Sequence, residues 1–96
     1  MHKLSKVEYV ILDLLRSGRE MYGLEMVKSA DGKLKRGSVY VTLSRMEEKG
    51  YVESRQECDA PYAGLPRRLY RIVALGQRAM SAEDAAATAF GGWQGA

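Results

Sequence analysis

The residues best suited to chemistry are two basic groups that could bind a phosphate backbone. The first occupies residues 28–45, where Asp31 is the one acidic residue. Its members are Lys28, Lys33, Lys35, Arg36 and Arg45. The second group follows further along the chain and comprises Arg67, Arg68 and Arg71. Because salt screens each charge beyond about 8–10 Å, local clusters matter more to a polyanion than the formal net charge of +3.

Hydroxyl groups accompany these basic residues. Ser38 and Thr42 stand four residues apart, so a helix would present both on one side. Tyr40 and the earlier Tyr22 add phenolic hydroxyls that can bond a phosphate, and Arg45 has the planar fork that pairs with guanine. The chemistry that these residues predict is binding of phosphates and base edges.

The sequence contains no set of residues suited to catalysis or to metal binding. The single histidine, His2, lies at the terminus, and the single cysteine, Cys58, has no partner for a disulfide or a metal cluster. Glu47 and Glu48 are adjacent and therefore point to different helix faces, which does not suit paired acid–base work. No glycine-rich phosphate loop occurs. We predict that the chain is not an enzyme and uses no cofactor.

Length and composition predict one compact domain. The 96 residues are 46% hydrophobic and 28% charged, an ordinary balance for a globular protein. No apolar run approaches the ~20 residues that span a bilayer, and the start lacks the apolar stretch of an export signal. Together with a single cysteine, expected to stay reduced, this predicts a cytoplasmic location.

Hydrophobic spacing predicts the elements that must position the basic and hydroxyl residues. Ser5 and Glu8 have the form of a capping box, and the apolar residues that follow recur at spacings of three and four. A first helix is therefore expected over residues 6–17, with Gly18 as its stop. A short second helix is expected over residues 22–30.

The third helix is the one that could enter a DNA groove. It is expected to open at Gly37-Ser38 and to end at Gly50. Its apolar face would be formed by Val39, Leu43 and Met46, its polar face by Ser38, Thr42, Arg45 and Lys49, and its flanks by Tyr40 and Val41. Such a helix has one side to dock on a core and one partly basic side to present to base edges.

Alternation predicts two strands, over residues 51–55 and 69–73, joined by a loop at 58–66 that is rich in proline and glycine. A last helix is expected after Gly76. Three helices, a hairpin and a helix predict a mainly α fold with a small β-hairpin (α+β), the winged helix-turn-helix. We therefore expect DNA contacts from the start of the second helix, the basic connector before the third helix, the third helix itself and the hairpin, or wing. The expected contact residues are Tyr22, Lys35, Arg36, Ser38, Tyr40, Thr42, Arg45, Arg67 and Arg68.

Three runs of sequence carry a family resemblance over roughly residues 7 to 80. The runs YGLEM at 22–26, RGSVYVTLSRMEEKGYV at 36–52 and GLPRRLYRI at 64–72 resemble the PadR family of bacterial transcriptional regulators. The resemblance implies a homodimer that represses transcription and dimerises largely through its C-terminal helix. Family DNA contacts fall by position on Tyr22, Ser38, Tyr40 and the wing around Arg67 and Arg68.

This resemblance also sets the expected organisation. Residues 1–75 would be a winged helix-turn-helix DNA-binding domain, residues 76–90 an added dimerisation helix, and residues 91–96 a flexible tail. The expected dimerisation stripe is Leu75, Ala79, Ala82, Ala86 and Phe90. The chain departs from the family in having Val41 in place of a usual proline and Val73 in place of a usual helix-capping threonine. Because of Val73, we expect the start of that helix to differ. The chain also stops soon after the helix, so we expect the dimer interface to be small.

Two alternatives remain open from the sequence alone. A winged helix can serve as a protein–protein interaction module that never touches DNA, and loss of the basic residues would leave such a module intact. Phe90 and Trp93 could line a pocket for a small-molecule effector between subunits, or only pack in the dimer contact. If the protein is a two-fold dimer, its operator should be an inverted repeat with half-sites ~10–10.5 bp apart, or a multiple of that.

Overall fold

A computed structural model describes residues 4–57 and 67–94, with side chains for 4–57 and 67–86. Within them the chain forms α1 (Lys6–Leu15), β1 (Met21–Tyr22), α2 (Gly23–Ser29), α3 (Val39–Lys49), β2 (Val52–Gln56), β3 (Arg68–Ile72) and α4 (Ala74–Gln94). The predicted order of three helices, a hairpin and a last helix is confirmed. The predicted loop at 58–66 and His2 lie outside the described residues. No helix of the described part is long and apolar enough to cross a membrane.

Local capping fixes where α1 begins. Ser5 Oγ accepts a hydrogen bond from the Glu8 backbone N–H at 3.1 Å, and Glu8 Oε1 accepts one from the Ser5 N–H at 2.9 Å. This confirms the predicted capping box. The helix ends at Leu15 rather than at residue 17, because the chain turns there and Gly18 adopts a left-handed φ of 89°.

The sheet has one strand more than the predicted hairpin. Met21 and Tyr22 pair with Tyr70 and Leu69, which gives three antiparallel strands in the order β1-β3-β2. The prediction that Tyr22 lies inside the second helix is wrong, because that helix begins at Gly23. A two-residue strand has no alternation to detect, and its partner strand lies far away in the sequence. The added strand anchors the start of α2 to the wing.

A single apolar core joins the helices to the sheet. The predicted buried face of α3 is confirmed, since Val39, Leu43 and Met46 are at most 1% exposed. The rest of the core comes from every other described element: Ile11, Leu12, Leu15, Met21, Met26, Ala30, Leu34, Tyr51, Val52, Tyr70, Ile72 and Met80. This core fixes how α3 is rotated and therefore which of its side chains face outward.

An ion pair between a buried carboxylate and an exposed lysine ties the end of α3 to α1. Lys49 Nζ lies 2.7 Å from Glu8 Oε2, and Glu8 is only 6% exposed. Burial raises the pKa of Glu8, but the hydrogen bond from Lys49, the Ser5 N–H and the Lys49 charge outweigh it, so the net pKa is lowered. The Glu8 carboxylate therefore stays ionised and holds the C-terminal end of α3 in place.

The last helix starts earlier and ends later than predicted. It begins at Ala74, where the Gln77 N–H donates to the Val73 C=O at 3.0 Å, and it runs to Gln94. The predicted end at residue 90 and the start of the predicted tail at residue 91 are therefore wrong. Glycine disfavours a helix by only about 1 kcal/mol, so the two glycines after Phe90 do not stop one that an alanine-rich run already propagates. The tail residues 95–96 lie outside the described part.

Polar contacts dock α4 on α1. Tyr9 Oη donates to Asp84 Oδ1 at 2.5 Å, and Arg16 Nη2 donates to Asp84 Oδ2 at 3.1 Å. The Leu4 N–H donates to Glu83 Oε1 at 3.1 Å. These bonds fix one face of α4 against α1 and the residues just before it, and leave the opposite face exposed as far as residue 86.

Candidate nucleic-acid interface

A basic turn leads directly into α3. The backbone N–H groups of Ser38 and Val39 both donate to the Lys35 C=O, at 3.2 and 3.0 Å, while the side chains of Lys35 and Arg36 are exposed. Ser38 occupies the N-cap position, yet its side chain makes no capping hydrogen bond. Because a helix N-terminus carries partial positive charge, the two basic side chains and the helix dipole add at the same end of α3.

The outward face of α3 differs from the predicted one. Each residue of a helix turns by about 100°, so the positions opposite the buried face are Val41, Ser44, Arg45 and Glu48. All four are exposed. The sequence pattern places Val41 only at a flank and does not single out Ser44. The middle of the exposed face is therefore partly apolar, with Arg45 one turn beyond Val41.

Two residues predicted on the polar face lie at its edge. Thr42 is half-buried, and its Oγ1 donates to the Ser38 C=O at 3.1 Å. Lys49 turns toward α1 and pairs with Glu8. The predicted face follows from polarity, whereas packing against α1 and the sheet sets the rotation of the helix. The Thr42 hydroxyl keeps accepting capacity, but its proton is already donated to the backbone.

Tyr40 packs over the first residue of α2. A Cβ added to Gly23 would lie 2.7 Å from Tyr40 Cε1 and 3.2 Å from the Tyr40 hydroxyl. Gly23 is buried, whereas Tyr40 is 46% exposed. Because Gly23 has no side chain, the Tyr40 ring can pack directly against its backbone. This contact brings the start of α3 against the start of α2.

The wing is connected to α3 through Arg68. Its Nη1 donates to Ser54 Oγ at 3.0 Å, and the Ser54 hydroxyl donates to Glu47 Oε2 at 2.7 Å. Arg68 lies at the start of β3, Ser54 lies on β2 and Glu47 lies on α3. The chain of hydrogen bonds therefore positions this guanidinium on the side of the sheet that faces α3.

The Tyr22 hydroxyl is hydrogen-bonded to an acidic residue at the base of the wing. Tyr22 Oη donates to Glu57 Oε2, and the Arg67 guanidinium lies 5.2 Å from the centre of the Tyr22 ring. The Glu57 N–H donates to the Arg67 C=O at 2.8 Å. The hydrogen bond to Glu57, with burial adding to it, raises the pKa of Tyr22, so the hydroxyl keeps its proton. A phosphate at Tyr22 would replace the Glu57 carboxylate as acceptor.

Four of the predicted contact residues line one groove. Tyr22, Tyr40, Arg67 and Arg68 surround an open cavity of about 660 Å³ between the start of α2, the start of α3 and the wing. Its remaining wall is formed by Gly23, Leu24, Glu25, Lys28 and Tyr70. The other predicted contacts do not line this groove and stand on the basic turn and on α3: Lys35, Arg36, Ser38, Thr42 and Arg45.

The predicted dimerisation stripe is only partly available on α4. Leu75, Ala82 and Ala86 are exposed. Ala79 is half-buried and packs against the core of its own chain, because it borders the face that docks on α1. The side chain of Phe90 lies outside the described residues. The free surface is therefore narrower than the predicted stripe.

Sequence reasoning missed the residues that orient the candidate contacts. Ser54 and Glu47 belong to different elements, so no local spacing relates them. Glu57 could have been paired with Arg67 only by knowing the register of the hairpin. Gly23 did carry a signal, because a glycine directly after a tyrosine at a helix start indicates a close approach of another group.

Several solved structures share this fold. A PadR family transcription regulator from Clostridium difficile R20291 superposes with a TM-score of 0.79, at 21% identity, covering 95% of this chain and 96% of its own. A PadR family transcriptional regulator from Eggerthella lenta DSM 2243 gives 0.75 at 25% identity, covering 93% and 78%. Bacillus subtilis PadR in complex with operator DNA gives 0.69 at 22% identity, covering 79% and 45%. No curated protein matches the chain.

The described helices, the wing and the groove between them define a winged helix-turn-helix fold. Residues 11–82 match the transcriptional regulator PadR-like family. The chain belongs to that family, which confirms the resemblance seen in its sequence.

Proposed function

We propose that this chain binds double-stranded operator DNA as a homodimer and represses transcription. The observation that carries the proposal is the convergence of the α2 start, the α3 start and the wing on one basic, hydroxyl-bearing groove. The structurally similar Bacillus subtilis PadR was solved with operator DNA bound, which supports the same partner here. Residues 1–75 act as the DNA-binding domain in this proposal.

Charge along α3 indicates how the helix meets DNA. Its N-terminal end follows Lys35 and Arg36, whereas its C-terminal half carries the exposed acids Glu47 and Glu48. Phosphates attract the first end and repel the second, so the N-terminal half enters the major groove, with Arg45 as the last basic contact. The wing arginines then reach the backbone or the adjacent minor groove.

The exposed side of α4 provides the proposed dimer contact. Leu75, Ala82 and Ala86 present small or apolar side chains, and small side chains let two helices approach closely. In a two-fold dimer each protomer contacts one half-site, so the operator is expected to be an inverted repeat. Occupation of such a site at a promoter would exclude polymerase, and this is the proposed route to repression.

Selection from random duplexes tests the proposal even though the operator sequence is unknown. The wild-type chain should enrich an inverted repeat with half-sites about one helical turn apart, or a multiple of it. Sedimentation of the complex should show two chains per duplex. An asymmetric footprint, or one chain per duplex, would contradict the dimer. Failure to enrich any sequence would favour a protein-interaction module instead.

Arginine variants separate the roles within the interface. Arg45→Ala should change the enriched sequence, whereas Arg67→Ala should weaken all duplexes alike and reduce the salt slope by about one. Arg19→Ala is the matched control, because the exposed Arg19 precedes β1 at the end of the sheet away from the wing loop. A loss for Arg19→Ala equal to that for Arg67→Ala would mean that net charge, rather than this surface, governs binding.

A further inference from the structure

The most exposed large apolar side chain in the described part of the chain lies on α3. Val41 is 54% exposed, more than Tyr40, Leu75 or Leu24. It stands two residues after the fully packed Val39, about 200° around the helix, so it points directly away from the core. A β-branched residue at such a position gains nothing from packing and is a poorer helix former than alanine. Packing within the chain therefore does not account for this residue type, whereas a contact outside the chain would.

The neighbours of Val41 indicate which kind of partner this side chain would contact. The basic turn at Lys35 and Arg36 lies on one side of it along the helix, and Arg45 lies one turn beyond on the other. Base edges in the major groove present one apolar group, the C5 methyl of thymine, and valine is a suitable partner for it. The N-terminal residues of a recognition helix are also those that reach base edges.

We propose that Val41 reads the C5 methyl group of a thymine in each operator half-site. The inference rests on the proposed DNA binding and names one base that the protein would recognise. Four helical residues rise about 6 Å, close to two base-pair steps of about 3.4 Å. The thymine therefore lies one or two base pairs from the guanine that Arg45 contacts.

Replacement of single thymines by deoxyuridine tests this contact, because it removes only the methyl group. With the selected operator, wild-type protein should lose roughly fourfold in affinity at one thymine of each half-site. Val41→Ala removes the contact in both half-sites, so it should bind the unmodified operator with the loss expected for deoxyuridine in both half-sites together, and then become insensitive to deoxyuridine at those positions. Val41→Thr keeps a methyl group on Cβ and should retain part of the sensitivity. Val41 is exposed, so both variants should fold.

The outcomes separate this proposal from the general one. Normal operator binding by Val41→Ala, with the full deoxyuridine penalty retained, would overturn the thymine contact and leave DNA binding standing. The thymine contact would also be overturned if the affinity losses from Val41→Ala and from deoxyuridine simply added when the two changes were combined. Failure of wild-type protein to select any duplex would refute both. Loss of the deoxyuridine penalty in Val41→Ala, with part of it retained in Val41→Thr, would establish the contact.

Discussion

Substitution of Gly23 by alanine should weaken DNA binding without unfolding the protein. The added Cβ would lie 2.7 Å from Tyr40 Cε1, 3.0 Å from Cζ and 3.2 Å from the hydroxyl. Ordinary contact needs 3.4–4 Å, so the ring must move by roughly 1 Å or swing away. Tyr40 is 46% exposed and can do so into solvent. The perturbation therefore acts on the position of a phenol that we propose bonds a phosphate.

The expected change in stability is smaller than the expected change in DNA-binding free energy. Alanine is better than glycine in a helix by up to about 1 kcal/mol, which offsets the cost of moving an exposed ring, so stability should change by less than about 1 kcal/mol. A hydrogen bond to a charged group contributes about 1.5–3 kcal/mol, and its loss should weaken binding at least about tenfold. Affinity should thus fall while the unfolding midpoint barely moves.

A double-mutant cycle with Tyr40→Phe is the appropriate assay. Fluorescence anisotropy with the selected operator measures affinity, and denaturant unfolding measures stability. If Gly23→Ala acts by displacing the Tyr40 hydroxyl, the double variant should bind no worse than Tyr40→Phe. Additive losses, or normal binding by Gly23→Ala, would refute the reasoning.

Three further predictions concern stability, pH and charge. Gly76→Ala should destabilise by about 3 kcal/mol in denaturant unfolding, because its Cβ would lie 2.2 Å from the Tyr51 carbonyl oxygen. Wild-type protein should lose stability as the pH falls below 4.5, the ordinary pKa of glutamate, because the folded pKa of Glu8 is lowered; Glu8→Gln should show a flatter loss in pH-dependent unfolding. Glu57→Gln should bind operator several-fold more tightly in anisotropy, because a carboxylate then no longer competes with phosphate for the Tyr22 hydroxyl.

Each of these has its own control or contrary result. Wild-type stability for Gly76→Ala would mean that α4 can shift away from the sheet at no cost. Equal pH profiles for wild type and Glu8→Gln would show that the Lys49 pair does not couple protonation to folding. Glu20→Gln removes the same charge from a carboxylate 2.7 Å from Arg55, and should leave affinity nearly unchanged. If Glu20→Gln increased the affinity for operator as much as Glu57→Gln, the effect of the Glu57 variant would be explained by net charge alone.

Most of the fold could be predicted because it is encoded locally. The capping box at Ser5 and Glu8, and the apolar spacing of Val39, Leu43 and Met46, each lie within a few residues and are confirmed. β1 could not be predicted, since two residues form a strand only because β3 supplies a distant partner. The predicted end of α4 is wrong because glycine lowers helix stability without forbidding a helix.

The candidate site was predictable in composition but not in geometry. Residue types in the basic turn and the wing indicated DNA, and the family match is consistent with that. The rotation of α3 depends on how its buried side packs, so Val41 emerged as the outermost residue only from the structure. The bond from Tyr22 to Glu57 depends on hairpin register across a loop, which spacing alone does not fix.

Salt-dependent binding to a matched pair of duplexes tests the central claim most directly. Anisotropy would compare the duplex upstream of the chain's own gene, or the selected operator, with a shuffled duplex of equal composition. DNA-specific regulation predicts a preference of about a thousandfold or more, and a log–log salt slope of about −0.9 for each phosphate contact. Absence of binding to either duplex at low salt would contradict the account and leave this winged helix as a protein-interaction module.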